Sequence, residues 1–151
     1  MRIPRIYTPQ DLTLNCIISL DDNAANHVAR VLRMSIGRLL FVFNGQTQSH
    51  FEAEIIECQR KNVSLKLLKQ IKTQIESPLN IHLGQAISKG DRFEFVVQKS
   101  TELGISDITP LWTERCDVKL NPERFDKKLK QWQQIAIAAC EQSGRDIVPI
   151  I

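Results

Sequence analysis

The stretch Asn80-Ile81-His82-Leu83-Gly84-Gln85-Ala86-Ile87-Ser88-Lys89-Gly90-Asp91-Arg92-Phe93-Glu94-Phe95-Val96-Val97-Gln98-Lys99-Ser100-Thr101-Glu102-Leu103-Gly104 decides the fold of the second half of the chain. Asn80 to Ile87 reads as an apolar strand, and Ser88-Lys89-Gly90-Asp91 as a turn and helix cap. The period then changes: Phe93, Val96, Val97, Ser100 and Leu103 recur at helical spacing, and Gly104 closes the helix. Asp107 to Trp112 is a second strand, with the run to Cys116 as its extension. Pro122 stands where the first residue of a helix belongs. Phe125, Leu129, Trp132, Ala136 and Ala139 then face one way, and Ile147 to Ile151 starts a third strand. This βαβαβ order predicts a parallel sheet with helical crossovers. Such sheets bind ligands at the carboxyl ends of their strands, where Lys89 falls.

Upstream of this segment the pattern has a different period. Arg38 to Phe43 is a β-type run ending in Asn44-Gly45, a hairpin signal. Ser49 to Cys58 alternates, with Phe51, Ala53 and Ile55 set against Glu52 and Glu54, and Asn62 to Leu68 forms a further run. Tight turns and strict alternation predict a small, strongly curved sheet or barrel. One helix interrupts it, capped by Asp21 or Asp22 and stopped at Gly37. On a helical wheel Ala24, Ala25, Val28, Val31 and Leu32 form a buried stripe, with Arg30 and Arg33 opposite. Polar residues followed by Ser77-Pro78 end the strand pattern. The expected organisation is therefore a β-barrel over residues 1–70, a linker at 71–78 and an α/β segment over 79–151. A sheet ending inside its third strand would leave an apolar edge, so this segment is expected to be the first half of a larger domain that continues past Ile151, or to have that edge covered by a partner.

Of the 151 residues, 42% are apolar and 25% charged, ordinary values for a globular protein. No apolar run approaches the ~18–20 residues that span a bilayer, and no apolar core follows the basic start, as a secretory signal would require. A cytoplasmic location with no membrane partner is expected. Cys16, Cys58, Cys116 and Cys140 are scattered, without a C-x-x-C pair, so no metal site is expected and the thiols should be reduced and mostly buried. The net charge is +3. Residues 1–70 hold nine Lys and Arg against six Asp and Glu, and residues 71–151 hold eleven of each. The whole excess lies in the first half.

There is no dinucleotide fingerprint, phosphate loop, zinc-protease motif or nucleophile elbow. Four polar stretches remain. Arg2-Ile3-Pro4-Arg5 is a proline-stiffened strand whose two arginines could meet phosphate or simply lie in solvent. Arg30 and Arg33 lie one turn apart, a spacing that suits adjacent phosphates or a solvated face. Lys89 sits on the loop after the first strand of the α/β segment. Glu141, Gln142 and Arg145 gather at a helix end, where Arg145 could grip a phosphate or a partner subunit, or oppose the helix dipole. Lys127, Lys128 and Lys130 read as a solvated helix face.

In order along the chain, R-I-P-R-I-Y, N-H-V-A-R-V-L-R-M, S-K-G-D-R-F-E-F-V-V-Q-K-S-T-E-L-G-I, I-T-P-L-W-T-E-R-C and A-A-C-E-Q-S-G-R resemble the ribosomal RNA small subunit methyltransferase E family. The resemblance implies an N-terminal PUA-like barrel that docks RNA, followed by a SPOUT-type α/β domain with a knot. It implies S-adenosylmethionine-dependent methylation of uridine N3 in 16S rRNA of the small ribosomal subunit, by a homodimer when full length. By matching motif, Arg2, Arg5, Arg30, Arg33, Lys89 and Arg115 are the expected RNA contacts. Glu141 and Arg145 are the candidates for the methyl-transfer side or dimer seam, with Glu141 a candidate base. The family's G-P-E-G-G and L-G-x-x-I-L-R stretches, which carry the cofactor, are not in this sequence. Cofactor contacts are thus expected beyond Ile151, and the chain alone is expected to be inactive. The alternative is a non-catalytic RNA-binding module.

Overall fold

The structure, a computed structural model, describes residues 3–116, 118 and 121–151. Arg2 lies outside the described residues. The chain divides into two compact units, residues 1–74 and 75–151.

The first unit is built on an antiparallel meander, β3 (Leu39–Phe43), β4 (Ser49–Gln59) and β5 (Asn62–Lys72). Alternation does its work here: Phe51, Ala53, Ile55, Val63, Leu65 and Leu67 are buried, while Glu52 and Glu54 stay partly exposed. Two register shifts, at Glu52/Ala53 and Ile55/Glu57, bend this long ribbon. β1 (Arg5–Tyr7) joins β3 in parallel and β2 (Ile17–Ser19) joins β5 antiparallel, giving the order β1-β3-β4-β5-β2. The Gln10 amide straps the two edges together: Nε2 donates to Ser19 O at 2.7 Å and to Thr8 Oγ1 at 3.1 Å.

Several sequence expectations need correction in this unit. Asn44-Gly45 does not close a two-residue hairpin, because residues 44–48 form a wider corner. There Asn44 Oδ1 accepts from Gln46 N at 3.2 Å and Gly45 takes φ +76°. The tight turn is at Arg60-Lys61 instead. Pairing continues to Lys72, since Thr73 N donates to Gln48 O at 2.9 Å and locks the strand end. The helix starts as expected, with Asp21 Oδ1 accepting from Asn23 N and Ala24 N. It stops well short of Gly37. α1 (Asp22–Asn26) runs into a π turn at His27–Val31, sealed by Leu32 N donating to His27 O at 2.9 Å. The wider turn rotates later residues off the buried stripe. Ala25 and Val28 remain in the core, but Val31 is 63% and Leu32 37% exposed.

In the second unit β6 (His82–Ala86) pairs in parallel with β7 (Asp107–Leu111), in register from His82↔Asp107 to Ala86↔Leu111. α2 (Arg92–Glu102) crosses between them. α3 (Pro122–Ser143) follows, with Asn121 Oδ1 accepting from Arg124 N and Gly144 ending it at φ +88°. In place of the expected third strand Ile150 makes a parallel bridge to Asp107, with Ile108 N donating to Ile150 O at 2.9 Å. Ile87, Phe93, Val97, Ile105, Ile108, Trp132 and Ala136 form this unit's own core. Of the cysteines, Cys140 is buried, Cys58 and Cys116 are half-buried and Cys16 is exposed, against the expectation that most would be buried. The half-buried Cys58 and Cys116 instead spend their S–H on Met34 O and Ile87 O. Among the described residues no helix is long and apolar enough to cross a membrane.

Candidate nucleic-acid interface

The π turn and the reversal after it build a groove on the first unit. Arg33 sits at φ +50°, a left-handed conformation that costs a side-chain-bearing residue about 1 kcal/mol or more. Strain of this kind is kept where the surrounding structure demands it. The reversal brings Leu32, Arg33 and Met34 opposite Ile3 and Pro4, with Arg38 and Leu39 completing a groove of about 530 Å³. Main-chain bonds fix its walls: Phe41 N donates to Pro4 O at 2.8 Å, Gly37 N to Ile55 O at 2.8 Å and Ile55 N to Arg38 O at 3.0 Å. An apolar floor with two exposed guanidinium groups at its edge can hold a sugar–phosphate segment without reorganising.

Arg30 and Arg33 are both exposed, as expected, but not on one continuous helical face, because Arg33 lies beyond the π turn. Arg33 shares the groove with Arg38 rather than with Arg30. Sequence reasoning missed Arg38. Its signal was a cation immediately after Gly37 and before an apolar strand. Arg5 is half-buried, its guanidinium carbon 4.9 Å from the centre of the Phe43 ring. Tyr7 packs edge-on against the same ring at 5.8 Å. Burial, with a smaller push from the Asp21 carboxylate, raises the Tyr7 phenol above its ordinary range. On β4 and β5 Glu52 is in register with Lys69 and Glu54 with Lys66, so each of these cations is placed opposite a carboxylate on the neighbouring strand.

A second cationic edge lies at the carboxyl ends of β6 and β7. Ile87 N donates to Leu111 O at 3.0 Å, carrying the pairing past the strands. Cys116 N donates to Thr113 O, and Cys116 Sγ to Ile87 O at 2.9 Å, so the segment after Trp112 folds back on the end of β6. This brings the loops of Lys89 and Arg115 to one edge, with Arg92 opening α2 beside them; all three are exposed. Gly90 supplies the turn at φ +75°.

Arg145 has an internal position, against the expectation of a phosphate or partner contact. Its Nη2 donates to Glu76 Oε2 at 2.7 Å and its Nε to Glu76 Oε2 at 3.1 Å. Nη1 donates to Thr101 O at 2.8 Å and Ile105 O at 3.1 Å. The guanidinium therefore clamps the end of α3 to the end of α2, the start of β7 and the segment entering the unit. Glu141, one turn earlier, is half-buried. Among the described residues no cluster of His, Cys, Asp and Glu could hold a metal ion.

A family model described as an RNA methyltransferase domain matches residues 75–151, and one described as an RNA methyltransferase PUA domain matches residues 20–68. The chain is 43% identical over 150 residues to the Ribosomal RNA small subunit methyltransferase E of Buchnera aphidicola (subsp. Acyrthosiphon pisum), covering 99% of this chain and 59% of that protein. A Bacillus subtilis protein of the same name is 31% identical over 144 residues, covering 94% of this chain and 55% of its own. Two solved structures superpose closely. A Legionella pneumophila methyltransferase in complex with the bound cofactor SAM has TM-score 0.95 and 46% identity, covering 99% of this chain and 62% of that one. A Neisseria gonorrhoeae Ribosomal RNA small subunit methyltransferase E bound to S-adenosyl methionine has TM-score 0.94 and 41% identity, covering 99% and 61%. The chain thus spans about three-fifths of the length of these relatives.

Proposed function

Because the chain belongs to the ribosomal RNA small subunit methyltransferase E family, we propose that its protein methylates N3 of a uridine in 16S rRNA of the small ribosomal subunit. The donor in this reading is S-adenosylmethionine, the working form a homodimer and the location the cytoplasm. Residues 1–70 act as a PUA-like RNA-docking barrel, and residues 79–151 as part of a SPOUT-type domain, joined through 71–78. The observation that supports it best is the preformed groove of the first unit, with Arg33 and Arg38 at its edge.

Uridine N3 carries an imide proton and sits on the edge that pairs. Methylation therefore requires an exposed base, loss of that proton and close alignment. Exposing a base costs a few kcal/mol, least where it is already unpaired. Phosphate contacts from Arg30, Arg33 and Arg38, with Arg2 and Arg5 as further candidates, offset that cost and set the RNA's register. Lys89 and Arg115 bind phosphate near the transfer side, and Glu141 remains the candidate base. A sulfonium donor is cationic, and the exposed side chains at the strand ends, Lys89, Arg92 and Arg115, do not suit it. They suit RNA, and we assign no step through the donor to them. The G-P-E-G-G and L-G-x-x-I-L-R motifs are absent from the 151 residues, so this chain alone is expected to dock RNA without transferring methyl groups.

Deleting the gene should remove one N3-methyluridine from digests of 16S rRNA, read by mass spectrometry; full retention would sink the reading. In binding assays with this chain, Arg33→Ala with Arg38→Ala should flatten the log K versus log[salt] slope by about 1.4 for single-stranded RNA.

A further inference from the structure

The aromatic rings of the second unit form a continuous series from core to surface. Phe93 lies 4.4 Å from Trp132, Trp132 6.4 Å from Phe125, and Phe125 6.2 Å from Trp112, measured between ring centres. Phe93 is 1% and Trp132 3% exposed, whereas Trp112 is 52% exposed. Trp112 is thus seated against the core on one side and open to water on the other. Core packing alone does not need a large, seated, half-bare indole. It follows directly on β7, at the carboxyl end of the parallel pair, where Lys89, Arg92 and Arg115 are also exposed. A rigid aromatic surface among cations is the combination that single-stranded nucleic acid uses, bases stacking while cations meet phosphates.

We propose that Trp112 is a stacking platform for an unpaired nucleobase of the RNA substrate, at the carboxyl ends of β6 and β7. This rests on the RNA methyltransferase reading and adds a base contact to the phosphate contacts of the first unit. Stacking accepts any base, so Trp112 selects for an unpaired strand rather than for a sequence.

The chain has two tryptophans, and the other, Trp132, is buried, so the red-shifted part of the emission belongs to Trp112. A uridine-containing single-stranded oligonucleotide should quench that emission in step with binding followed by anisotropy of a labelled strand. A stable duplex should leave it unchanged. Trp112→Leu should weaken binding roughly five- to a hundredfold, Trp112→Phe should restore most of it, and neither should alter the salt slope. Unchanged affinity in Trp112→Leu, or equal quenching by duplex, overturns the inference. If binding still depends on Arg33 and Arg38 while Trp112 is indifferent, only this inference falls. If the folded chain binds no oligonucleotide, the RNA-docking reading falls and takes this with it.

Discussion

Arg145 shows how far a residue's role can lie from its local sequence. It stands just after a helix end, where a cation ordinarily opposes the dipole or faces solvent. In the folded unit it is buried against Glu76, 69 positions earlier, and no local pattern carries a partner at that distance. Removing one member of such a pair leaves the other charge stranded. Arg145→Ala should therefore destabilise the second unit by about 3–5 kcal/mol, read from denaturant unfolding followed by tryptophan emission; a change near zero would sink the assignment. Arg33 poses the opposite case. Its exposure was legible, because it fell off the apolar stripe. Its left-handed backbone was not, because nothing about an arginine announces a positive φ.

At the scale of elements, strands and caps were the most legible features. Alternation in β4, the aspartate cap of α1, Pro122 opening α3 and the glycines ending α2 and α3 each follow from a local rule that no distant contact overrides. The π turn was illegible because a steady apolar spacing from Ala24 to Leu32 reads as one regular helix. A single wider turn changes every later bearing without changing composition. The last turn of α2 yields a prediction on pH. Lys99 Nζ donates to Glu102 at 2.8 Å and Gln98 Nε2 donates at 3.1 Å. The hydrogen bond from Lys99 holds the Glu102 carboxyl below its ordinary value; desolvation opposes it, and the charge of Lys99 and the hydrogen bond from Gln98 add smaller lowering effects. A carboxyl depressed in the folded state supports the helix above its unfolded pKa and loses that support as pH falls through the lower folded one. Lys99→Met should move the Glu102 midpoint upward in a carboxyl-detected NMR titration, and an unmoved midpoint would refute the pairing.

For the whole molecule, the change after Pro78 from strands joined by tight turns to strands alternating with long helical patterns marked the expected division of the chain. The structure divides between residues 74 and 75. The first unit's ladders and buried apolar cluster, from Ile6 to Leu67, close within residues 1–74. A protein of residues 1–74 should accordingly unfold cooperatively by circular dichroism, and Leu65→Ala within it should cost about 2–5 kcal/mol. A broad, non-cooperative melt would count against an independent core. The partition of charge was equally readable, but the pairing of Arg33 with Arg38 across a groove was not, because it needs the three-dimensional path of the reversal.

The parallel union of β1 with β3 has a consequence for how that groove comes into being. Arg5 meets Phe41 across a span of thirty-six positions, whereas the meander pairs near neighbours. Contacts so far apart in sequence close late and open early. One wall, Ile3 and Pro4, therefore arrives only when that edge strand zips on, and fraying of the short edge would dissolve the cleft while the hydrophobic centre stayed intact.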